Sequence, residues 1–295
     1  MSWTQEDYKR NIQILEETAY KGGFPPLPQE IQDYRKLSKV EVLILEAGGR
    51  QFIVYKCTAN NRSEKAPVVL SIHGGGWYTP HLENDVCYSS YLADKVGGIV
   101  YSPDYTTSDK AGYEVMTAQC YETLKYAFEH AAEDGGDIEN ISAGGYSAGG
   151  HLAAGIVMRA KKEGTIPVRA QFLCYAPLYF RDSLEELTDR SNERMSIRMA
   201  AFEELLFRQN EALYEDPEAN LLSAKKEDLA LFPKTLVIAA ELCTFRKENK
   251  DFAQRLTDAG VKTTFTCYPG ERHGFIPHFV GDWKGAVGQI AAFVR

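Results

Sequence analysis

Residues 141–162 read ISAGGYSAGGHLAAGIVMRAKK, and the change of character at Ser147 decides the fold. Ile141–Tyr146 is a short run suited to a buried strand, whereas Ala148–Lys162 carries apolar residues at helical spacing. Between them stands Gly145-Tyr146-Ser147-Ala148-Gly149, a GxSxG pattern. A strand that turns straight into a helix needs a tight, strained bend. Bulk two residues either side of the serine would strike neighbouring backbone; glycine removes it and leaves Ser147 exposed at the strand tip. Glycine and serine are also common in ordinary turns. The pattern gains meaning only because a strand precedes it and a helix follows.

The same alternation runs along the chain. Apolar runs at Val68–Ile72, Gly98–Ser102, Ala170–Tyr175, Leu236–Ala240 and Thr263–Cys267 alternate with helical patterns near Asp85–Val96, Tyr113–Glu133, Lys247–Ala259 and Asp282–Val294. Strand and helix repeated in this way imply a mainly parallel sheet flanked by helices on both faces, an α/β fold. Two earlier strands, near Lys39–Glu46 and Gln51–Cys57, are joined by Gly48-Gly49 as a hairpin and bring the sheet to eight strands. Tyr8, Ile12 and Leu15 mark an opening amphipathic helix, broken by the Gly/Pro-rich stretch 22–28. Residues 180–232 are long, charged and helix-prone. They are expected to form a helical insertion over one end of the sheet, and with residues 1–38 a cap. At 295 residues and 44% apolar, the chain suits a single domain spanning 1–295.

The net charge of −8 and pI near 5.4 argue against nucleic acid or an anionic membrane as partner. The basic pairs Lys161-Lys162 and Lys225-Lys226 read as solvated faces. No stretch has signal-peptide or membrane-spanning length. The six cysteines are scattered with no CxxC and no zinc spacing, so no metal is expected and a reduced, cytoplasmic setting is. A homodimer is left open.

Ligands in an open parallel sheet sit beyond the carboxyl ends of the strands, and chemically informative residues fall there. His73-Gly74-Gly75-Gly76-Trp77 follows the strand Val68–Ile72 directly. Its glycines allow backbone N–H groups to face a developing oxyanion, with Gly75 and Gly76 as two donors and Ala148 as a third. The alternative of a phosphate cradle lacks both GxGxxG and a P-loop lysine. His73 reads as an orienting hydrogen-bonder. His273, in Pro269-Gly270-Glu271-Arg272-His273-Gly274-Phe275 after the last strand, is the candidate base. His81, His130, His151 and His278 fit structural or surface roles better.

Taken together, HGGGW, GYSAGG and the ERHGF loop resemble the hormone-sensitive-lipase-like branch of the α/β-hydrolases, over roughly Ala66 to Arg295. The resemblance implies a cofactor-free carboxylesterase acting on a small-molecule ester, with a Ser-His-acid triad and a helical cap. Three departures stand out. Where the family carries its acid in a segment like DPLRDE, this chain reads Glu241-Leu242-Cys243-Thr244-Phe245-Arg246-Lys247-Glu248, which puts Cys243 at the acid's place. A thiol near neutral pH is a poor acceptor and cannot hold an imidazole as a carboxylate does. Glu241, two residues earlier and on the same side if the strand continues, is the expected substitute; Asp182 and a bare Ser-His dyad are the alternatives. Tyr146 replaces the acidic residue usual before the serine, and Asp104-Tyr105-Thr106-Thr107-Ser108 differs from the family's DYRLAPE run. Trp77 and Tyr146 are expected at the substrate pocket, where Trp77 and Tyr78 either narrow an acyl site towards short chains or belong to the core. A catalytically weak ligand-binding protein is the rival reading, and an amidase or peptidase a third.

Overall fold

The computed structural model describes residues 4–17, 26–180, 193–207 and 210–295, without the side chains of 193–196. The strands are β1 (Ser38–Ala47), β2 (Arg50–Ala59), β3 (Ala66–Ile72), β4 (Ile99–Asp104), β5 (Gly136–Tyr146), β6 (Val168–Cys174), β7 (Lys234–Ala240) and β8 (Thr263–Tyr268). They form one eight-stranded sheet in the order β1-β2-β4-β3-β5-β6-β7-β8. β1 and β2 pair antiparallel, as do β2 and β4, and every later pairing is parallel.

The β1–β2 hairpin closes at Ala47↔Arg50 through Gly48 and Gly49, with φ of 60° and 70°. Two consecutive left-handed residues match the twist of the flanking strands. β3 is buried along its whole length, and β6 and β7 nearly so. Such strands are covered on both faces, which is why they read as continuous apolar runs.

The helices are α1 (Gln5–Glu17), α2 (Gln29–Asp33), α3 (Glu83–Val96), α4 (Tyr113–His130), α5 (Ala148–Glu163), α6 (Glu193–Phe207), α7 (Lys226–Leu229), α8 (Arg246–Asp258) and α9 (Trp283–Val294). α3 packs with α9, and α4 with α5, against the sheet. Within the 180–232 segment, α6 lies against α1, tied by Arg198 Nη1 donating to the Leu15 carbonyl at 2.9 Å. Residues 181–192, and Asp182 with them, fall outside the described residues, as does most of the 22–28 break.

β5 starts at Gly136 rather than Ile141. Gly136 pairs with Ala66, and the register then shifts so that Val68 meets Ile141. The polar residues in between hide this irregular start from any periodicity.

Candidate active site

The bend between β5 and α5 is built as its glycines require. Ser147 sits at φ 55°, ψ −128°, a conformation costly for a residue with a side chain. It persists because its surroundings fix it: Ser147 N–H donates to the Cys174 carbonyl at 2.9 Å, and Gly150 N–H to the Ser147 carbonyl at 2.9 Å. A Cβ on Gly145 would lie 2.5 Å from the Ile72 carbonyl oxygen, and one on Gly149 2.1 Å from it. Both glycines are therefore forced by the tip of β3, which passes directly alongside.

That tip runs into the 73–77 loop. Gly75, Gly76 and Trp77 all have positive φ, at 100°, 60° and 56°. The loop is pinned from below by Tyr105, whose hydroxyl lies 3.3 and 3.2 Å from the carbonyls of His73 and Gly74 and whose ring stacks on His73 at 4.3 Å. His73 Nδ1 meets the Gly74 carbonyl at 2.8 Å. Among the described residues, no group accepts from the amides of Gly75, Gly76 or Ala148.

His273 reaches Ser147 from the loop after β8, with Nε2 2.8 Å from Ser147 Oγ. Its ring is wedged edge-on against Tyr175 and Phe245, at 5.1 and 5.2 Å between centroids. Burial, with His278 nearby, lowers its pKa to about 4, so the imidazole is neutral and able to accept a proton.

On the other side of the ring, Cys243 Sγ lies 3.2 Å from Nδ1, and Phe245 N–H donates to the same sulfur at 3.4 Å. Burial pushes the thiol up to about 12, so it carries no charge. Glu241 does not approach His273, which corrects the expectation for it. β7 ends at Ala240 and the chain turns, with Cys243 N–H donating to the Ala240 carbonyl at 3.1 Å. Strand alternation therefore does not extend from 241 to 243. The Glu241 carboxylate instead accepts from Gly270 N–H at 2.7 Å.

Ser147 and His273 open onto a cleft of ≈ 210 Å³. Trp77 and Tyr146 line it, as do Phe202 of α6 and Phe245. His278, expected in a structural or surface role, and Asp85, which sequence reasoning did not single out, line it too. His278 follows His273 by one turn of loop, and Asp85 stands in the first turn of α3. Proximity to HGGGW and to His273 in the chain was the only available signal. His81 and His151 are buried and bonded, to Ser102 Oγ at 3.0 Å and to the Ala219 carbonyl at 2.6 Å. Among the described residues, no group of three or more His, Cys, Asp or Glu is placed to hold a metal ion, and no helix is long and apolar enough to cross a membrane.

The chain is similar to known esterases in sequence and in fold. The chain is 27% identical over 214 residues to the esterase LipI of Mycobacterium tuberculosis, covering 72% of this chain and 66% of that one. It is 25% identical to an arylesterase of Saccharolobus solfataricus over 71% of this chain and 68% of the other, so it spans about two thirds of these relatives' length. Among solved structures, a thermostable esterase from Pseudomonas putida superposes with a TM-score of 0.77 at 25% identity, covering 97% of both chains. A family model described as the alpha/beta hydrolase fold matches residues 69–277, most of the chain, which runs from within β3 to beyond β8 of the mainly parallel sheet: this chain belongs to the α/β hydrolase fold family.

Proposed function

We propose that the chain hydrolyses carboxylic esters with short acyl groups, using Ser147 as nucleophile and His273 as general base. The observation that carries this reading is the 2.8 Å contact between Ser147 Oγ and His273 Nε2 at a strained strand-to-helix bend. Ser147 Oγ attacks the ester carbonyl carbon while its proton passes to Nε2. The carbonyl oxygen gains the negative charge, and the unengaged amides of Gly75, Gly76 and Ala148 are the donors for it. The tetrahedral intermediate collapses, breaking the bond to the alcohol oxygen, which takes the proton from Nε2. Water then repeats the sequence on the acyl-serine, releasing the acid and restoring the hydroxyl. The esterase names of the relatives support the leaving group, and a cleft of ≈ 210 Å³ with Trp77 and Phe202 among its lining residues supports a short acyl chain.

Cys243 at His273 Nδ1 favours a second reading, a ligand-binding protein with little turnover. One experiment separates the two. Wild-type protein and Ser147→Ala are labelled with a fluorophosphonate probe, and separate unlabelled samples of each are assayed on p-nitrophenyl acetate. Ser147-dependent labelling together with Ser147-dependent turnover is the expected outcome. Hydrolysis that persists in Ser147→Ala, or its absence from the wild type, refutes the esterase reading.

A further inference from the structure

We propose that Asp85 is a positioning residue for this reaction, tying the nucleophile's bend to the loop that stabilises the oxyanion. The inference rests on the ester-hydrolase reading above and adds a residue to it. Tyr146 immediately precedes Ser147, and its hydroxyl donates to Asp85 Oδ1. The other carboxylate oxygen, Oδ2, accepts from Leu82 N–H at 2.7 Å. Leu82 closes the segment that begins with the triple-glycine loop. One carboxylate therefore bonds both halves of the machinery.

The Tyr146 ring is itself part of the fit. A Cβ on Gly74 would lie 3.1 Å from Tyr146 Cδ2, so the glycine loop rests on this ring, whose plane is fixed edge-on by Tyr88 at 5.2 Å between centroids. If Tyr146 tilts, the loop it supports moves relative to Ser147 Oγ. Displacements of ~1 Å at such a site cost about a hundredfold in rate.

The tether depends on charge. Asp85 is 4% exposed and lines the cleft. The titratable groups facing it are Tyr146 from β5, Tyr88 from its own helix, Tyr105 beyond β4, and Asp104 of β4. None is a cation, and burial keeps nearby His73 and His81 neutral. Among the described residues, the carboxylate is held by one O–H and one N–H. Burial raises its pKa to about 6, against the opposing pull of Tyr146 and Leu82. Protonation turns an acceptor into a donor and slackens the link to Tyr146. Asp85 also caps α3, and a cap by itself affects only stability.

The test is steady-state hydrolysis of p-nitrophenyl acetate from pH 4.5 to 8.5, with Ser147→Ala as control. In the wild type, kcat is expected to fall below about pH 6. Asp85→Asn removes the charge and leaves one acceptor oxygen where the carboxylate offers two; it is expected to lower kcat ~10- to 100-fold, leave KM within about twofold, and remove the acid limb near pH 6, leaving the fall set by His273 near pH 4. Tyr146→Phe, which leaves Asp85 in place, is expected to lower kcat as well and to move the limb to higher pH, because the carboxylate loses its strongest donor. Tyr146→Phe carries the test if Asp85→Asn does not fold. Variants that melt at lower temperature but keep wild-type kcat and the wild-type limb overturn the proposal and leave Asp85 a helix cap. Turnover that does not depend on Ser147 overturns the esterase reading itself, and this proposal with it.

Discussion

Cys243 Sγ lies 3.2 Å from His273 Nδ1, in the position from which a carboxylate would hold the ring of a Ser-His pair. The difference between the two groups is one of direction as well as strength. A carboxylate only accepts, so it forces the proton onto Nδ1 and leaves Nε2 free to take the serine proton. A neutral thiol can accept from Nδ1–H or donate to Nδ1, and the second arrangement puts the proton on Nε2, where it blocks the base. Nor does a neutral thiol stabilise the imidazolium that forms during attack. In serine proteases the loss of that carboxylate costs roughly 10⁴-fold in kcat, about 5 to 6 kcal/mol of barrier. His273 is thus placed by packing, between Tyr175 and Phe245, more than by charge.

Glu241→Gln is expected to leave kcat/KM within about twofold of wild type. Its carboxylate accepts from Gly270 N–H at 2.7 Å, and the glutamine carbonyl oxygen can do the same. Surface changes of this kind are worth about 0.5 kcal/mol or less. A large loss of kcat in the steady-state assay would make Glu241 part of the catalytic machinery after all.

Phe202→Ala is expected to shift preference towards longer acyl chains. The Phe202 ring packs on Trp77 at 5.6 Å between centroids and fills the space beside Gly76, where a Cβ would lie 2.4 Å from it. Each methylene admitted to an apolar pocket is worth ~1 to 3 kcal/mol, so the ratio of kcat/KM for p-nitrophenyl hexanoate over acetate should rise at least ~10-fold. An unchanged ratio would mean that Phe202 does not bound the acyl site.

Glu248→Gln is expected to stabilise the protein above neutral pH. Glu248 Oε2 accepts from Leu178 and Tyr179 N–H at 3.3 and 3.2 Å, and burial raises its pKa from 4.5 to about 8. The folded state therefore binds a proton that the unfolded state has already lost, and stability falls as pH rises from about 4.5 to about 8. Glutamine keeps the acceptor and carries no charge. Thermal melts should show near-equal midpoints at pH 5 and a variant higher by several degrees at pH 9. A variant that is less stable at pH 9 would mean that the two N–H groups outweigh burial.

Much of this molecule is legible in its sequence because burial on both faces leaves no choice of residue. β3, β6 and β7 appear as apolar runs, and Ser147 and His273 follow each other in the order the sheet imposes. Gly145 and Gly149 are readable for the same reason: Ile72 leaves no room for a side chain at either position. What escaped depends on where the chain leaves a regular path. Glu241 seemed to share a face with Cys243 only on the assumption that β7 continued past Ala240. The start of β5 at Gly136 passes through a register shift that no alternation reports. Asp85 and His278 enter the cleft through the way α3 and the β8 loop are seated, a tertiary matter that residue spacing does not encode.

The most direct test is kcat for p-nitrophenyl acetate in Cys243→Asp, beside Cys243→Ala, with a thermal melt to establish that both are folded. If the thiol is a weak substitute at Nδ1, the aspartate variant gains at least ~10-fold, with a ceiling of roughly 10⁴, while the alanine variant loses little. A folded Cys243→Asp enzyme no faster than wild type, or a Cys243→Ala enzyme that is inactive, would contradict the account.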